Sequence, residues 1–313
     1  MCWTRVVAIT GCDSGLGWAL AARLAREGLV TVAGMFNGTD TEASHALKSL
    51  CAHPEKLDVT NPESVAKFYD YVKCLLESNP KYKLYALVNN AGVMTIADYE
   101  VQPPEIFEKT INVNLLGPMR MVSAFLPELR KTASQGLNPR IINVASHCGL
   151  QPLPGFGPYS ASKSGLLAWT RSLRLEHYGT GLSAVAFIPG TKLITNGKVE
   201  VGGFVGASNL IANQKSQENI ILSHLTDEQK VIYEKKIITL NNYLSPSSQK
   251  PRFDAVKDET IIEAFMKAAL CDNPKLQYKV ESWRYKFYYT LFKIPFPEII
   301  HLWLIKKFLR FPN

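Results

Sequence analysis

The stretch Arg5-Val6-Val7-Ala8-Ile9-Thr10-Gly11-Cys12-Asp13-Ser14-Gly15-Leu16-Gly17 decides the fold class. Its first five residues read as a short buried strand, and the run from Trp18 to Glu27, closed by Gly28, reads as a helix. Strand, glycine-rich turn and helix, in that order, form a cradle where backbone N–H groups and a helix N-terminus receive a pyrophosphate. Glycines suit such a turn because the phosphates approach the backbone closely and a Cβ would block them. A glycine triplet alone is a weak signal. Its place directly after the first strand makes it the opening unit of a doubly wound parallel α/β sheet.

Outward from that unit, Val30-Thr31-Val32-Ala33-Gly34 reads as the second strand, and Leu84–Val88, Ile141–Ala145 and Leu182–Ile188 as further buried strands. Helices are expected over Pro62–Ser78, over Glu105–Lys131 with a kink at Gly117-Pro118, and from about Tyr159 to Tyr178. Thr226-Asp227-Glu228-Gln229 has the form of a capping box opening a helix to about Leu240. A polar linker over Ser245–Arg252 and a helix over Asp258–Leu270 follow. Between them Asn196–Gln217, with Gly202, Gly203 and Gly206, reads as a mobile loop over a pocket. Its Val201, Phe204, Val205, Leu210 and Ile211 suit a greasy pocket and suit packing on the core equally well. The organisation expected is a core over 1–195, a lid and helices completing the same domain over 196–277, and a C-terminal α-helical extension over 278–313.

The chemistry is expected at Ser146 to Lys163. Tyr159 and Lys163 are four apart, so a helix projects both from one face, while Ser146 ends the apolar run Ile141–Ala145. A phenol with a pKa of about 10 exchanges protons poorly near neutrality. A fixed cation beside it favours the phenolate and turns it into a usable acid/base. The pair is not specific by itself, since Tyr69/Lys73 and Tyr289/Lys293 repeat it.

Thr10-Gly11-x-x-x-Gly15-x-Gly17, Asn89-Asn90-Ala91-Gly92, Asn114, Ser146 and Tyr159-x-x-x-Lys163 together resemble the short-chain dehydrogenase/reductase family, over roughly residues 5 to 190. Within it, Gly11-Cys12-Asp13-Ser14-Gly15 and the aromatic, basic tail resemble the branch of retinol, hydroxysteroid and 3-hydroxybutyrate dehydrogenases. The resemblance implies catalytic roles for Ser146 (substrate oxygen), Tyr159 (proton transfer), Lys163 (phenol pKa and ribose) and Asn114 (proton relay), with Asn112 as the competing asparagine. It further implies that Gly11, Asp13, Ser14, Gly15, Leu16, Gly17, Asp58, Val59, Asn90, Ala91, Gly92, Pro189 and Gly190, with Tyr159 and Lys163, hold a nicotinamide cofactor. Asp58 reads equally as a helix N-terminal residue. Thr191-Lys192-Leu193-Ile194-Thr195 departs from the pattern, with Ile194 where the family has a threonine.

An acid ending the second strand would favour NAD and a nearby cation NADP. Met35-Phe36-Asn37 offers neither and Lys48 is the first cation beyond, which tilts the expectation to NAD over NADP. The substrate expected is lipophilic: a steroid or sterol-derived alcohol, including insect-type ecdysteroid precursors, or a retinoid. A 3-hydroxybutyrate-type dehydrogenase is the alternative within the class, with Lys192 as the cation for the carboxylate. A non-catalytic cofactor-binding scaffold or sensor is the alternative outside it. His147 and Cys148 read as pocket wall.

Composition narrows the rest. Hydrophobic residues at 46% and charged residues at 20% are ordinary for a globular chain. The +8 net charge is concentrated from Lys279 onward, where seven basic residues face two acidic ones, so it gives no support to nucleic-acid binding. Six cysteines without CxxC spacing fit a reducing compartment, and six histidines without clustering argue against a metal site. Strand-like residues follow Met1 at once, leaving no room for a cleavable leader. The tail, Tyr278–Phe311, is interrupted by Lys286, Lys293, Pro295 and Pro297 and makes a poor transmembrane helix. Its aromatic and cationic residues suit peripheral contact with a membrane surface, against the alternative of packing on the domain or lining the pocket. These features place the chain on the cytoplasmic side of an intracellular membrane, endoplasmic reticulum ahead of mitochondrial, and not secreted. The wide apolar arc Leu166, Leu167, Trp169, Thr170, Leu173, Leu175 suits burial against the sheet or a second subunit, hence a homo-oligomer.

Overall fold

The computed structural model describes residues 3–190, 210, 214–248 and 252–309. Seven parallel strands form one sheet in the order β3-β2-β1-β4-β5-β6-β7. They are β1 (Thr4–Thr10), β2 (Val30–Met35), β3 (His53–Lys56), β4 (Tyr82–Asn89), β5 (Arg140–Val144), β6 (Ser183–Ile188) and β7 (Gln277–Lys279). The chain reverses its direction of travel across the sheet between β1 and β4. In an open parallel sheet such a switch point opens a crevice beyond the carboxyl ends of the strands. The glycine turn after β1 and Asn90 after β4 stand in that crevice.

Side chains alternate along β1 and feed two cores. Val7 and Ile9 pack with α1 (Gly15–Arg26) and α9 (Glu259–Leu270) on one face. Val6 and Ala8 pack with α3 (Pro62–Ser78) and α5 (Gly117–Ser134) on the other. The remaining helices of the main body are α2 (Glu42–Ser49), α4 (Pro104–Ile111) and α6 (Gly157–Glu176). Helix α3 spans the residues expected of it because Asn61 caps it, its Oδ1 accepting from Glu63 N and Ser64 N, with Pro62 in the first turn.

Three local expectations change. The long helix Glu105–Lys131 is interrupted over Asn112–Leu116, a π-helical turn just ahead of Gly117-Pro118. Such turns insert a residue into the hydrogen-bond ladder and occur often at functional sites. The start of the supposed loop's last segment, Gln214–Gln217, belongs to a helix, α7 (Gln214–His224). The capping box is made, Thr226 N donating to Gln229 Oε1 and Gln229 N to Thr226 Oγ1. The helix it opens, α8 (Asp227–Ser248), runs past Leu240 into the expected linker because Leu240, Tyr243 and Leu244 join an apolar cluster that rewards another two turns.

Strand β7 lies beside β6 in parallel register, Ile188 against Lys279. The residues after it therefore leave the sheet at the same, carboxyl end of the strands as the glycine turn. Helices α10 (Trp283–Leu291) and α11 (Glu298–Leu309) follow there.

Candidate active site

Gly11 and Gly15 adopt left-handed backbone, φ 71° and 62°. A Cβ on Gly17 would stand 2.1 Å from the Gly11 carbonyl oxygen and 2.4 Å from Asn90 Nδ2, so no other residue fits there. Thr10 Oγ1 accepts from both Asn90 N and Ala91 N, and Asn90 Nδ2 donates to the carbonyls of Thr10 and Gly11. These bonds hold the ends of β1 and β4 as one rim. The Asp13 carboxylate reaches across to the end of β2 and accepts from Phe36 N and Asn37 N, both at 2.7 Å. Ser14 precedes α1, Leu16 is buried in its first turn, and Gly15 N donates to the Phe253 carbonyl. Asp58 Oδ1 accepts from Thr60 N and Thr60 Oγ1, and Asp58 lies three residues before Asn61, which caps α3, so it stands outside that helix's N-terminus. Val59 is buried against Gly117.

Asn114, fully buried in the π turn, places Oδ1 on Val93 N and donates through Nδ2 to Val93 O and Ser162 Oγ. Asn112 Oδ1 is buried without a partner among the described residues, so it is Asn114 that ties the turn to both β4's exit and α6. A further buried chain fixes α6 on the sheet: Asn89 Nδ2 donates to Asn143 Oδ1, and Asn143 Nδ2 to Thr170 Oγ1, each at 2.8 Å. Thr170 was expected in an apolar arc, and its burial is polar instead. Periodicity does not distinguish a hydroxyl that finds a partner from a methyl that needs none.

Ser146, Tyr159 and Lys163 are brought together. Of the three Tyr-x-x-x-Lys copies, only this one buries both members; Lys73 and Lys293 are exposed. Ser146 Oγ accepts from Cys148 N, and Ser146 acts on the Tyr159 phenol to favour its ionised form. Lys163 Nζ donates to the Val144 carbonyl at 2.9 Å and lies 5.9 Å from the Tyr159 ring centroid. An ammonium has three donors. A Cβ on Gly92 would lie 3.6 Å from Nζ and 3.3 Å from Asn114 Oδ1, so Gly92 lies directly beside the cation and the asparagine.

The electrostatics differ from the expectation of a phenol already acidified by its lysine. Burial dominates both groups: it pushes the Tyr159 phenol well up, with Cys148 and Tyr285 adding to the rise and only Ser146 opposing it. Burial likewise brings Lys163 down to about 8. Each is poised unfavourably alone. A phenolate beside the ammonium, or a polar ligand on it, relieves both.

Pro189 and Gly190 are buried after β6; a Cβ on Gly190 would strike the Val280 carbonyl at 2.1 Å and lie 2.9 Å from His147 Nε2. Thr191–Thr195, with Lys192 and Ile194, and the lid residues Val201, Phe204, Val205 and Ile211 lie outside the described residues. His147 is buried and Cys148 partly buried beside Ser146. The His147 imidazole, held low by burial, meets Val280 O, Tyr285 and Tyr289.

The tail packs on the domain, the alternative set against membrane contact, with its aromatic side chains in the cluster that holds Tyr159. Tyr159 shares one apolar cluster with Met94, Ile96, Leu153 and Phe156 and with Tyr289, Phe292, Leu304 and Phe308 of the tail. Arg284, buried, donates to the Phe308 and Lys307 carbonyls and so caps α11 with α10. The four-residue spacing of Tyr285 and Tyr289 was the available signal for one aromatic face turned inward. The sequence also hid Lys56, which the β2–β3 pairing sets at the end of β2 with Nζ on the Phe36 carbonyl and over its ring. Among the described residues no group of three His, Cys, Asp or Glu side chains could hold a metal ion.

The family model described as short chain dehydrogenase matches residues 5–201. The chain is 30% identical over 258 residues to the mitochondrial D-beta-hydroxybutyrate dehydrogenase of Bos taurus, covering 78% of this chain and 70% of that one. It is 30% identical over 287 residues to retinol dehydrogenase 7 of Mus musculus, covering 91% and 83%. With estradiol 17-beta-dehydrogenase 2 of Mus musculus it shares 34% over 191 residues, 59% of this chain and 48% of that protein.

Proposed function

Since the chain belongs to the short-chain dehydrogenase family, an oxidoreductase family acting on CH–OH groups with a nicotinamide cofactor, we propose that its substrate is a lipophilic alcohol or ketone, steroid-derived or retinoid, and that its cofactor is NAD. One observation carries the substrate class: the Tyr159 phenol sits in a cluster of aliphatic and aromatic side chains drawn from the pocket loops and from α10 and α11. The similarity to retinol dehydrogenase 7 spans 91% of this chain, which supports the same reading.

When bound, the nicotinamide supplies the hydride acceptor for oxidation and the hydride donor for reduction. The chain's own residues do the remainder. Ser146 hydrogen-bonds the substrate oxygen beside Tyr159; Tyr159, as phenolate, takes the hydroxyl proton at Oη. The Lys163 ammonium offsets the phenolate charge and binds ribose hydroxyls, and Asn114 anchors the turn through which the proton leaves. Gly11, Gly15 and Gly17 bring the pyrophosphate to the backbone, while Asp58, Val59, Asn90, Ala91, Gly92, Pro189 and Gly190 border the bound dinucleotide. The test is turnover of a retinoid and steroid panel with NAD or NADP, followed at the reduced-nicotinamide absorbance. Tyr159→Phe is expected to lower kcat by about 10²-fold or more while NADH still binds. Full activity in that variant would refute the phenol's role, and cofactor binding without turnover of any alcohol would favour a sensor.

Peripheral membrane contact extends this reading. Among the described residues no helix is long and apolar enough to span a membrane. Trp283, Phe287, Ile299 and Trp303 are exposed on the outer face of the tail, interleaved with Lys286, Lys306 and Lys307. Aromatic and cationic groups arranged so suit the lipid–water boundary, on the cytoplasmic side of the endoplasmic reticulum. Replacing Trp283, Ile299 and Trp303 by Ser, which leaves the inner face intact, should move the chain from the pelleted to the soluble fraction; an unchanged distribution would refute the contact. Exposed Leu175 and Tyr178 at the end of α6 are consistent with a homo-oligomer, to be read from its mass in solution.

A further inference from the structure

The end of β2 is where a doubly wound sheet receives the adenosine ribose of a dinucleotide, and an acid there discriminates against a 2′-phosphate. This chain has Met35-Phe36-Asn37 at that place and no acid. The fold supplies one from elsewhere. Asp13, in the glycine turn, accepts from Phe36 N at one carboxylate oxygen and from Asn37 N at the other, both at 2.7 Å. Two consecutive backbone N–H groups converging on one point form an anion-binding concavity. Asp13 fills it with an internal anion through two short, charge-assisted bonds.

We propose that Asp13 is the residue by which the chain selects NAD over NADP: its carboxylate takes the two N–H groups that a 2′-phosphate would need, and repels that phosphate. This rests on reading the glycine turn as a dinucleotide site. The opposing feature is Lys56, an exposed cation brought to the same strand end. Its ammonium is engaged by the Phe36 carbonyl and lies 5.1 Å over the Phe36 ring. A lone lysine so placed would favour NADP; the carboxylate bound to the backbone beside it decides the contrary, because it removes both donors as well as adding charge.

Direct binding tests this, independently of turnover. Dissociation constants of NADH and NADPH are measured on the full chain by calorimetry or nicotinamide fluorescence. The unaltered chain should bind NADH at least about tenfold more tightly than NADPH, the scale of one charge-assisted hydrogen bond. Asp13→Ser frees both N–H groups and should shrink that ratio by about tenfold or more, chiefly through gain of NADPH affinity. Asp13→Asn, nearly isosteric, should move it the same way and serves if the serine variant melts early. Lys56→Met should not lower the preference for NADH. Equal binding of the two by the unaltered chain would overturn the assignment. So would a ratio unmoved in a folded Asp13→Asn variant, or a preference for NADH that appears only on removing Lys56. Failure of both dinucleotides to bind the unaltered chain would overturn it together with the cofactor reading, and is distinguishable from the other outcomes for that reason.

Discussion

The rings of His147 and Tyr285 lie tilted against each other with centroids 4.7 Å apart. His147 directly follows Ser146, and Tyr285 belongs to α10, more than a hundred residues later. The C-terminal tail therefore touches the residue adjoining the candidate catalytic serine. Tyr289 extends the contact, edge-on to His147 at 5.2 Å and stacked on Tyr285 at 5.6 Å. The tail is packed into the surroundings of Ser146 and Tyr159.

Tyr289 is buried, and its hydroxyl has no hydrogen-bond partner among the described residues. Tyr289→Ala removes its ring contacts with His147, Tyr285, Phe292 and Phe308. It should cost roughly 3 kcal/mol of stability, as for a large aromatic deleted from a core. It should also raise KM for a lipophilic substrate. Tyr289→Phe keeps the ring and drops the unpaired hydroxyl, so denaturant unfolding should find it unchanged or about 1 kcal/mol more stable. A Tyr289→Ala enzyme with unaltered KM would separate the tail from the pocket.

Asn143 sits at the centre of the buried chain from Asn89 to Thr170. Asn143→Ala leaves the buried Asn89 amide without its partner, at roughly 1–3 kcal/mol, and takes from Thr170 Oγ1 the bond it accepts while its own donation to the Leu166 carbonyl remains. The melting temperature should fall, and because Thr170 belongs to the helix that carries Tyr159 and Lys163, kcat should fall more than KM rises. A variant that is as stable as the parent would remove the chain from the account of how the helix is held.

The pKa of Lys163 makes the cofactor-free enzyme's stability depend on pH. Burial lowers it to about 8 in the folded chain from an ordinary 10.5. Between those values the unfolded chain binds the extra proton, so stability should rise with pH through that window, in total by roughly 3 kcal/mol. Tyr159 works oppositely above its ordinary value of 10.0, where the unfolded chain ionises first and stability turns down. Denaturant unfolding at pH 7.5 and 9.5 measures the rise. Lys163→Met should flatten it; the same slope in both proteins would show that another group carries it.

The sequence by itself determined whatever is local. The glycine turn, the proline and asparagine that open α3, the Thr226–Gln229 capping box and the apolar strand runs all encode their structure within a few residues. That is because backbone φ, capping donors and side-chain periodicity act over a few residues. The helix break was legible too, at Gly117-Pro118, although the strain was taken up one turn earlier, over Asn112–Leu116. The Ser146–Tyr159–Lys163 set was legible as spacing. Only the tertiary structure decided the rest. It paired Asp13 with the end of β2, carried Lys56 there from β3, turned Thr170 from filler into the end of a polar chain, and folded α10 and α11 over Tyr159. It also set the sign of the electrostatics, since desolvation depends on everything packed around a group while a four-residue spacing reports only its neighbour. Contacts between residues far apart in the chain depend on complementary shape and on unmet hydrogen-bond donors, and neither leaves a periodic mark in the sequence.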